Sequence, residues 1–196
     1  YYYLFMSYYN NANESVKMAN MDKCKKLLMD GLAKYPNNDN IIEGLINVYT
    51  AGAGDPKELI DVVDGALMRD PKNKGLWYGR GRIFYSLKDY DQSIESFKKV
   101  VELDPKDAQS LYYVGYFYVL KADGLNNEFN QRDYKSNDEF KADQAKIIEV
   151  YKEAIPFLEK SYAANPKNVS TLEVLKSLTF RLREEEGMQA KFDKYN

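Results

Sequence analysis

Histidine is absent from this 196-residue chain, which removes the side chain that most often serves as general base and metal ligand near neutral pH. The one cysteine, Cys24, can form neither an internal disulfide nor a zinc cluster. No apolar run approaches the roughly 20 residues of a membrane span. Charge of one sign is lacking too: 28 Lys and Arg stand against 30 Asp and Glu, a net charge of −2. Nucleic-acid binders carry a basic surplus on one face, so no nucleic-acid partner is expected. Glycine-rich phosphate loops are missing as well, because Ala51-Gly52-Ala53-Gly54 follows no strand and precedes no Gly-Lys-Ser/Thr. Asn126-Asn127-Glu128 lacks the alternating acids and central glycine of a calcium loop. No cofactor, metal or catalytic constellation is therefore expected.

What the chain does contain is periodicity. From Lys74 to Pro105 two amphipathic helices are predicted. Leu76, Trp77, Arg80, Gly81, Phe84 and Leu87 recur at three- and four-residue steps in the first; Ile94, Phe97, Val100 and Val101 do so in the second. Asp89 is placed to cap the second helix, with Gln92 three residues on to close a capping box. Asp104-Pro105 ends it, since a residue before proline avoids the helical region. One hairpin of this size cannot bury its own apolar stripe.

The prolines set the period. Pro71 and Pro105 are 34 residues apart, and Pro36 lies 35 before Pro71. Twelve residues before each stand Cys24, Leu59 and Ser93, and eight before stand Leu28, Val63 and Phe97; Pro166 has Ala154 and Leu158 at the same offsets. With Trp77, Gly81, Phe84, Tyr90, Ser93, Phe97 and Pro105, then Leu111, Gly115 and Tyr118, the chain resembles the tetratricopeptide repeat (TPR) proteins. Their unit is a 34-residue helix–turn–helix. The resemblance implies an all-α, right-handed α-solenoid forming one superhelical domain over 1–196. Its units are expected at about 1–37, 38–72, 73–106, 107–167 with an insertion at 122–144, and an incomplete capping unit at 168–196.

In chain order, the first unit is expected to have helices at about Tyr2–Lys17 and Met21–Lys34 around a turn at Ala19-Asn20, with Cys24 as a compact core residue. In the second, Asp55 should cap a helix with Pro56 at its first position and Glu58 closing the box. In the fourth, the first helix should end near Leu120. The polar, Asn-rich insertion follows, and Ser136 with Glu139 should lengthen the second helix toward its start. Pro156 should bend that helix. In the fifth, Leu172, Leu175, Leu178 and Leu182 predict one helix and Met188, Phe192 and Tyr195 a short second. The chain begins at Tyr1 rather than methionine, so a trimmed or processed N-terminus is expected, with either a cytoplasmic or an exported location open to a chain without a membrane span. The Asn-, Lys- and Tyr-rich composition resembles that of TPR proteins from Bacteroidetes.

The family lines a concave groove with the first helix of each hairpin. By that resemblance the candidate groove residues are Tyr78, Arg82 and Tyr85, then Tyr112, Tyr113 and Tyr116, with Glu173 and Ser177 from the last unit and Leu45 and Val48 from the second. Tyrosine and arginine are enriched at interface hot spots, bringing large rigid area and a polar tip. The competing use of each tyrosine is packing between hairpins, since the chain has 18 of them. The positions at which related repeats clamp a chaperone's C-terminal carboxylate hold Tyr9, Asn13, Leu45, Gly75 and Gly79, of which Asn13 alone fits. The expectation is a non-enzymatic scaffold binding a peptide or partner protein. The alternatives are a structural or oligomerisation spacer and, third, a carbohydrate or small-molecule binding module.

Overall fold

The structure is a computed structural model and describes residues 14–35 and 38–195. Most of the expected helix Tyr2–Lys17, with Tyr9, Asn13 and Pro36, lies outside the described residues. Among them the regular elements are all helical. The chain divides into two compact units, 1–96 and 97–196.

In the first unit α1 spans Glu14–Lys34 and α2 Asp39–Thr50. A 3₁₀ turn at Pro56–Leu59 leads into α3, Ile60–Arg69, and α4 spans Lys74–Ser86. The unit closes within α5, Tyr90–Leu103. Helix α1 runs straight through Ala19-Asn20, where a turn was expected. Neither residue is a glycine or proline, and alanine is the best helix former.

Local chemistry sets the helix starts. Side-chain oxygens of Asn38, Asn73 and Asp89 accept from the backbone N–H three residues on, at 3.1–3.2 Å, each satisfying a donor the helix leaves unpaired. Asp55 accepts from Lys57 N at 3.0 Å beside Pro56. The two capping boxes close differently from expectation. Gln92 does not reach back; its Oε1 accepts from Arg80 Nη2 at 3.0 Å. Glu58 likewise turns to Tyr49, whose hydroxyl donates at 2.6 Å, and to Lys25 at 3.4 Å. In both places a cation or phenol from another helix outcompetes a local bond. Every nitrogen of Arg80 is used: Nε also donates to Asp64 at 2.7 Å and Nη1 to Ser96 Oγ at 2.8 Å, tying α3, α4 and α5 together. Helices α4 and α5 also come together where Ser93 Oγ donates to the Gly81 carbonyl at 2.7 Å. Cys24 sits 1% exposed in this core, and burial raises its thiol pKa.

In the second unit α6 spans Ala108–Gln131 and α7 Asn137–Ala164, an antiparallel hairpin; α8 spans Val169–Arg181 and α9 Gln189–Tyr195. Asp107, Ser136 and Asn168 cap α6, α7 and α8 at 3.0–3.2 Å. The insertion does not form a separate piece. Helix α6 continues past Leu120 to Gln131, and α7 begins at Asn137, so the added residues lengthen both helices. The reason is a small aromatic cluster hidden in the polar stretch. Phe129, Tyr134 and Phe140 meet with ring centres 4.8–5.4 Å apart, and Asp143 ties Arg132 (2.6 Å) and Lys146 (3.1 Å) to the tip. Helix α7 is unbroken through Pro156.

Lower down, α6 and α7 nearly touch at Gly115: a Cβ there would meet Leu158 Cγ at 2.5 Å and the Ala154 carbonyl at 3.1 Å. Two of the short helices of the last unit also form where leucines and aromatics place them, with Leu175, Leu178, Leu182, Met188 and Tyr195 in the core.

Candidate functional site

In the first unit, Tyr78, Arg82 and Tyr85 share one face of α4 at steps of four and three residues. Tyr78 and Arg82 are half-buried and Tyr85 is 44% exposed. Arg82 reaches α2, where Nη1 donates to Asn47 Oδ1 at 2.6 Å and Nη2 to Thr50 Oγ1 at 2.9 Å. This corrects the contribution expected from the second repeat, 38–72. Leu45 and Val48 are both fully buried, because α2 packs against both α1 and α4, and they line no open face. Counting back 35 residues, the spacing between Pro36 and Pro71, takes Tyr78, Arg82 and Tyr85 to Glu43, Asn47 and Thr50. That count was the signal for the true register.

In the second unit, Tyr112 and Tyr116 are half-buried. Their rings stack, with centres 5.5 Å apart and planes 8° from parallel. Tyr113 is directed differently: it stacks on Phe117 at 5.6 Å and tilts onto Phe97 at 4.9 Å, both of them buried. At 100° per residue, Val119 and Asp123 fall on the same face of α6 as Tyr112 and Tyr116. A cleft of about 220 Å³ opens there, lined by Val119 and Asp123 from α6, Tyr151 from α7, and Glu173, Val174, Ser177, Leu178 and Arg181 from α8. Glu173, Ser177 and Arg181 recur at four-residue steps, one turn apart.

One hydrogen-bonded group joins the three helices at the cleft. Asp123 Oδ1 accepts from the Tyr151 hydroxyl at 2.5 Å and from Arg181 Nη1 at 2.8 Å. Arg181 also contacts the Tyr151 hydroxyl, and its guanidinium lies 4.7 Å from the centre of the Tyr151 ring. Burial of Tyr151, seconded by the Asp123 carboxylate, raises its pKa well above the ordinary tyrosine range. It therefore stays a neutral donor. The Arg181–Asp123 pair is about half exposed (45% and 41%), so it positions these side chains more than it stabilises the fold.

Glu173 and Ser177, expected on a groove face, line this cleft together with Asp123, Tyr151 and Arg181, which were not among the candidates. Asp123 was missed because α6 was expected to end near Leu120. Arg181 was signalled by its four-residue step from Ser177. Nothing in the local pattern marks Tyr151. Among the described residues no group of three or more acidic or cysteine side chains is arranged to hold a metal ion, and no helix is long and apolar enough to cross a membrane.

Residues 76–107 match the model of the tetratricopeptide repeat. No curated protein matches the sequence. Solved structures do match in fold. One of MamA is 16% identical and covers 94% of this chain and 91% of that one, with a TM-score of 0.63. MamA from residue 41 onward, of Desulfovibrio magneticus RS-1, is 17% identical with 97% and 92% covered and a TM-score of 0.62. A TPR-repeat protein of Bacteroides fragilis NCTC 9343 is 15% identical with 92% and 88% covered and a TM-score of 0.50. At these identities the likeness is one of fold.

Proposed function

From the premise that the chain is a tetratricopeptide-repeat protein of the all-α solenoid class, we propose that it is a non-enzymatic interaction scaffold whose repeat faces bind a peptide segment of a partner protein. The observation that carries this reading is the face of the second unit where the stacked Tyr112 and Tyr116 continue into Val119, Asp123 and the cleft beside Glu173 and Ser177. The two phenol rings are half-buried and supply large rigid area, the kind of side chain that dominates interface energetics. Beyond them the cleft offers an apolar floor of Val119, Val174 and Leu178 with polar groups at its rim. Glu173 has no hydrogen-bond partner among the described residues, so its carboxylate is available to a donor on the partner. In the first unit, Tyr78, Arg82 and Tyr85 form a separate surface of the same kind, with Arg82 held in place by Asn47 and Thr50.

The test is selection of peptides from a displayed random library on the wild-type protein, with the Tyr112→Ala/Tyr116→Ala double variant as the counter-target. Selected peptides should bind the double variant more weakly by more than about 1 kcal/mol, while its circular dichroism is unchanged. Peptides that bind both proteins equally would move the site elsewhere.

A further inference from the structure

A second recess in the same unit adjoins the cleft of the peptide-binding face. It shares Tyr151 and Arg181 with the first cleft and draws its other residues from the upper part of the α6–α7 hairpin and from Leu182 and Glu185 just after α8. Its volume is about 420 Å³, within the roughly 300–1,000 Å³ of small-molecule sites, which the first cleft falls short of. Phe129 and Ile148, both half-buried, give this otherwise polar recess an apolar patch, and Ile147 and Leu182 beside them are buried.

The polar groups around it are unequally committed. Glu185 is bound by Lys152 at 3.1 Å, and the nearby Asp123 is spent on Tyr151 and Arg181. The acids are thus already matched. The donors are not. Arg181 uses Nη1 for Asp123 and Tyr151, and its Nε and Nη2 have no partner among the described residues. The side-chain amides of Asn126 and Gln144, which also line the recess, have none either. The Nε–Nη2 edge of a guanidinium presents two parallel N–H groups at the spacing of a carboxylate's oxygens. An arginine is charged at every accessible pH, so this edge favours an anion over a neutral acceptor.

We infer that this recess binds a small organic carboxylate with an apolar tail, the carboxylate on the Nε–Nη2 edge of Arg181 with Asn126 or Gln144 beside it, and the tail against Phe129 and Ile148. Asp123 and Tyr151 are positioning residues in this scheme, since they hold the far edge of the guanidinium and turn the near one outward.

The experiment titrates methyl-labelled protein with sodium octanoate, 1-octanol and octylamine, following the Ile147, Ile148 and Leu182 methyl resonances and the heat of binding. Octanoate should saturate and shift those methyls, while octanol and octylamine at the same concentrations do not. Arg181→Gln should weaken octanoate by at least about tenfold, and Ile148→Trp, which fills the recess and keeps Arg181, should abolish it. Equal binding of octylamine, methyl shifts spread over the whole protein, no saturation, or an unchanged affinity in Arg181→Gln would each overturn the inference. If either variant loses its fold, the three-probe comparison on the wild type still decides. The Tyr112→Ala/Tyr116→Ala variant should bind octanoate as the wild type does, so the two sites stand or fall separately.

Discussion

Helix α6 carries two glycines in opposite surroundings, and the same substitution at each should have opposite effects. At Gly124 an added Cβ would meet nothing within 4 Å. Replacing it by alanine should therefore deliver the ordinary gain of alanine over glycine inside a helix, about 1 kcal/mol. At Gly115 the same gain is available but the Cβ would stand 2.5 Å from Leu158 Cγ and 3.1 Å from the Ala154 carbonyl. Leu158 is fully buried, the contact falls on its branch carbon rather than a free tip, and the carbonyl belongs to the backbone of α7. Neither can withdraw without parting the hairpin. Overpacking of this kind costs about 1–3 kcal/mol, so Gly115→Ala should range from neutral to about 2 kcal/mol less stable than wild type. The difference between the two variants isolates the overpacking cost. Urea unfolding followed by circular dichroism measures both; the midpoint should rise for Gly124→Ala and stay level or fall for Gly115→Ala. If both variants gain by the same amount, the helices do not meet at Gly115 and the repeat register of the second unit is wrong.

Two further outcomes follow from single residues. Lys88, in the turn between α4 and α5, has φ 59°, a left-handed conformation that costs a non-glycine residue about 1–2 kcal/mol. Against the extra chain entropy of glycine, Lys88→Gly should raise thermal stability by about 0.5–1 kcal/mol, and Lys88→Ala should bring no gain; equal effects would mean that the turn relaxes. The Glu58 carboxyl is held below its ordinary 4.5 first by the Tyr49 hydroxyl and then by Lys25. A folded-state pKa below the unfolded one contributes stability that is present above the unfolded value and lost as pH falls through the folded value. The stability gap between wild type and Glu58→Gln should therefore be constant near neutrality and close below pH 4.5; in a Tyr49→Phe background the pH-dependent part should shrink, and a gap that is flat down to acid denaturation refutes the contact.

Core positions were legible in the sequence and surface positions only partly, for a physical reason. Cys24, Leu28, Leu59, Val63, Ser93, Phe97, Ala154 and Leu158 were located by offset from a proline, and all are buried. Each must satisfy two constraints at once, fitting its own hairpin and the volume left by its partner helix, so a large or small residue marks the place. The helix starts were legible because a cap is a local bond. The bonds between helices were not: Gln92 and Glu58 were expected to close their own helix starts and instead meet Arg80, and Tyr49 with Lys25, from elsewhere in the unit.

The length of the α6–α7 hairpin shows the same limit from the other side. Asn126, Asn127, Asn130 and Asn137 give the insertion a loop-like composition, and asparagine is a poor helix former. Phe129, Tyr134 and Phe140 are too widely spaced to read as a stripe, yet in the hairpin they meet around one point. Three rings in contact bury enough apolar area to outweigh a few tenths of a kcal/mol of propensity at each asparagine. The extension this secures carries Asp123 and Asn126 beyond the expected end of α6 and brings Gln144 and Ile147 opposite them. The two clefts described above therefore depend on residues whose helical state the local sequence argues against, and the tip cluster is what makes those residues part of a site.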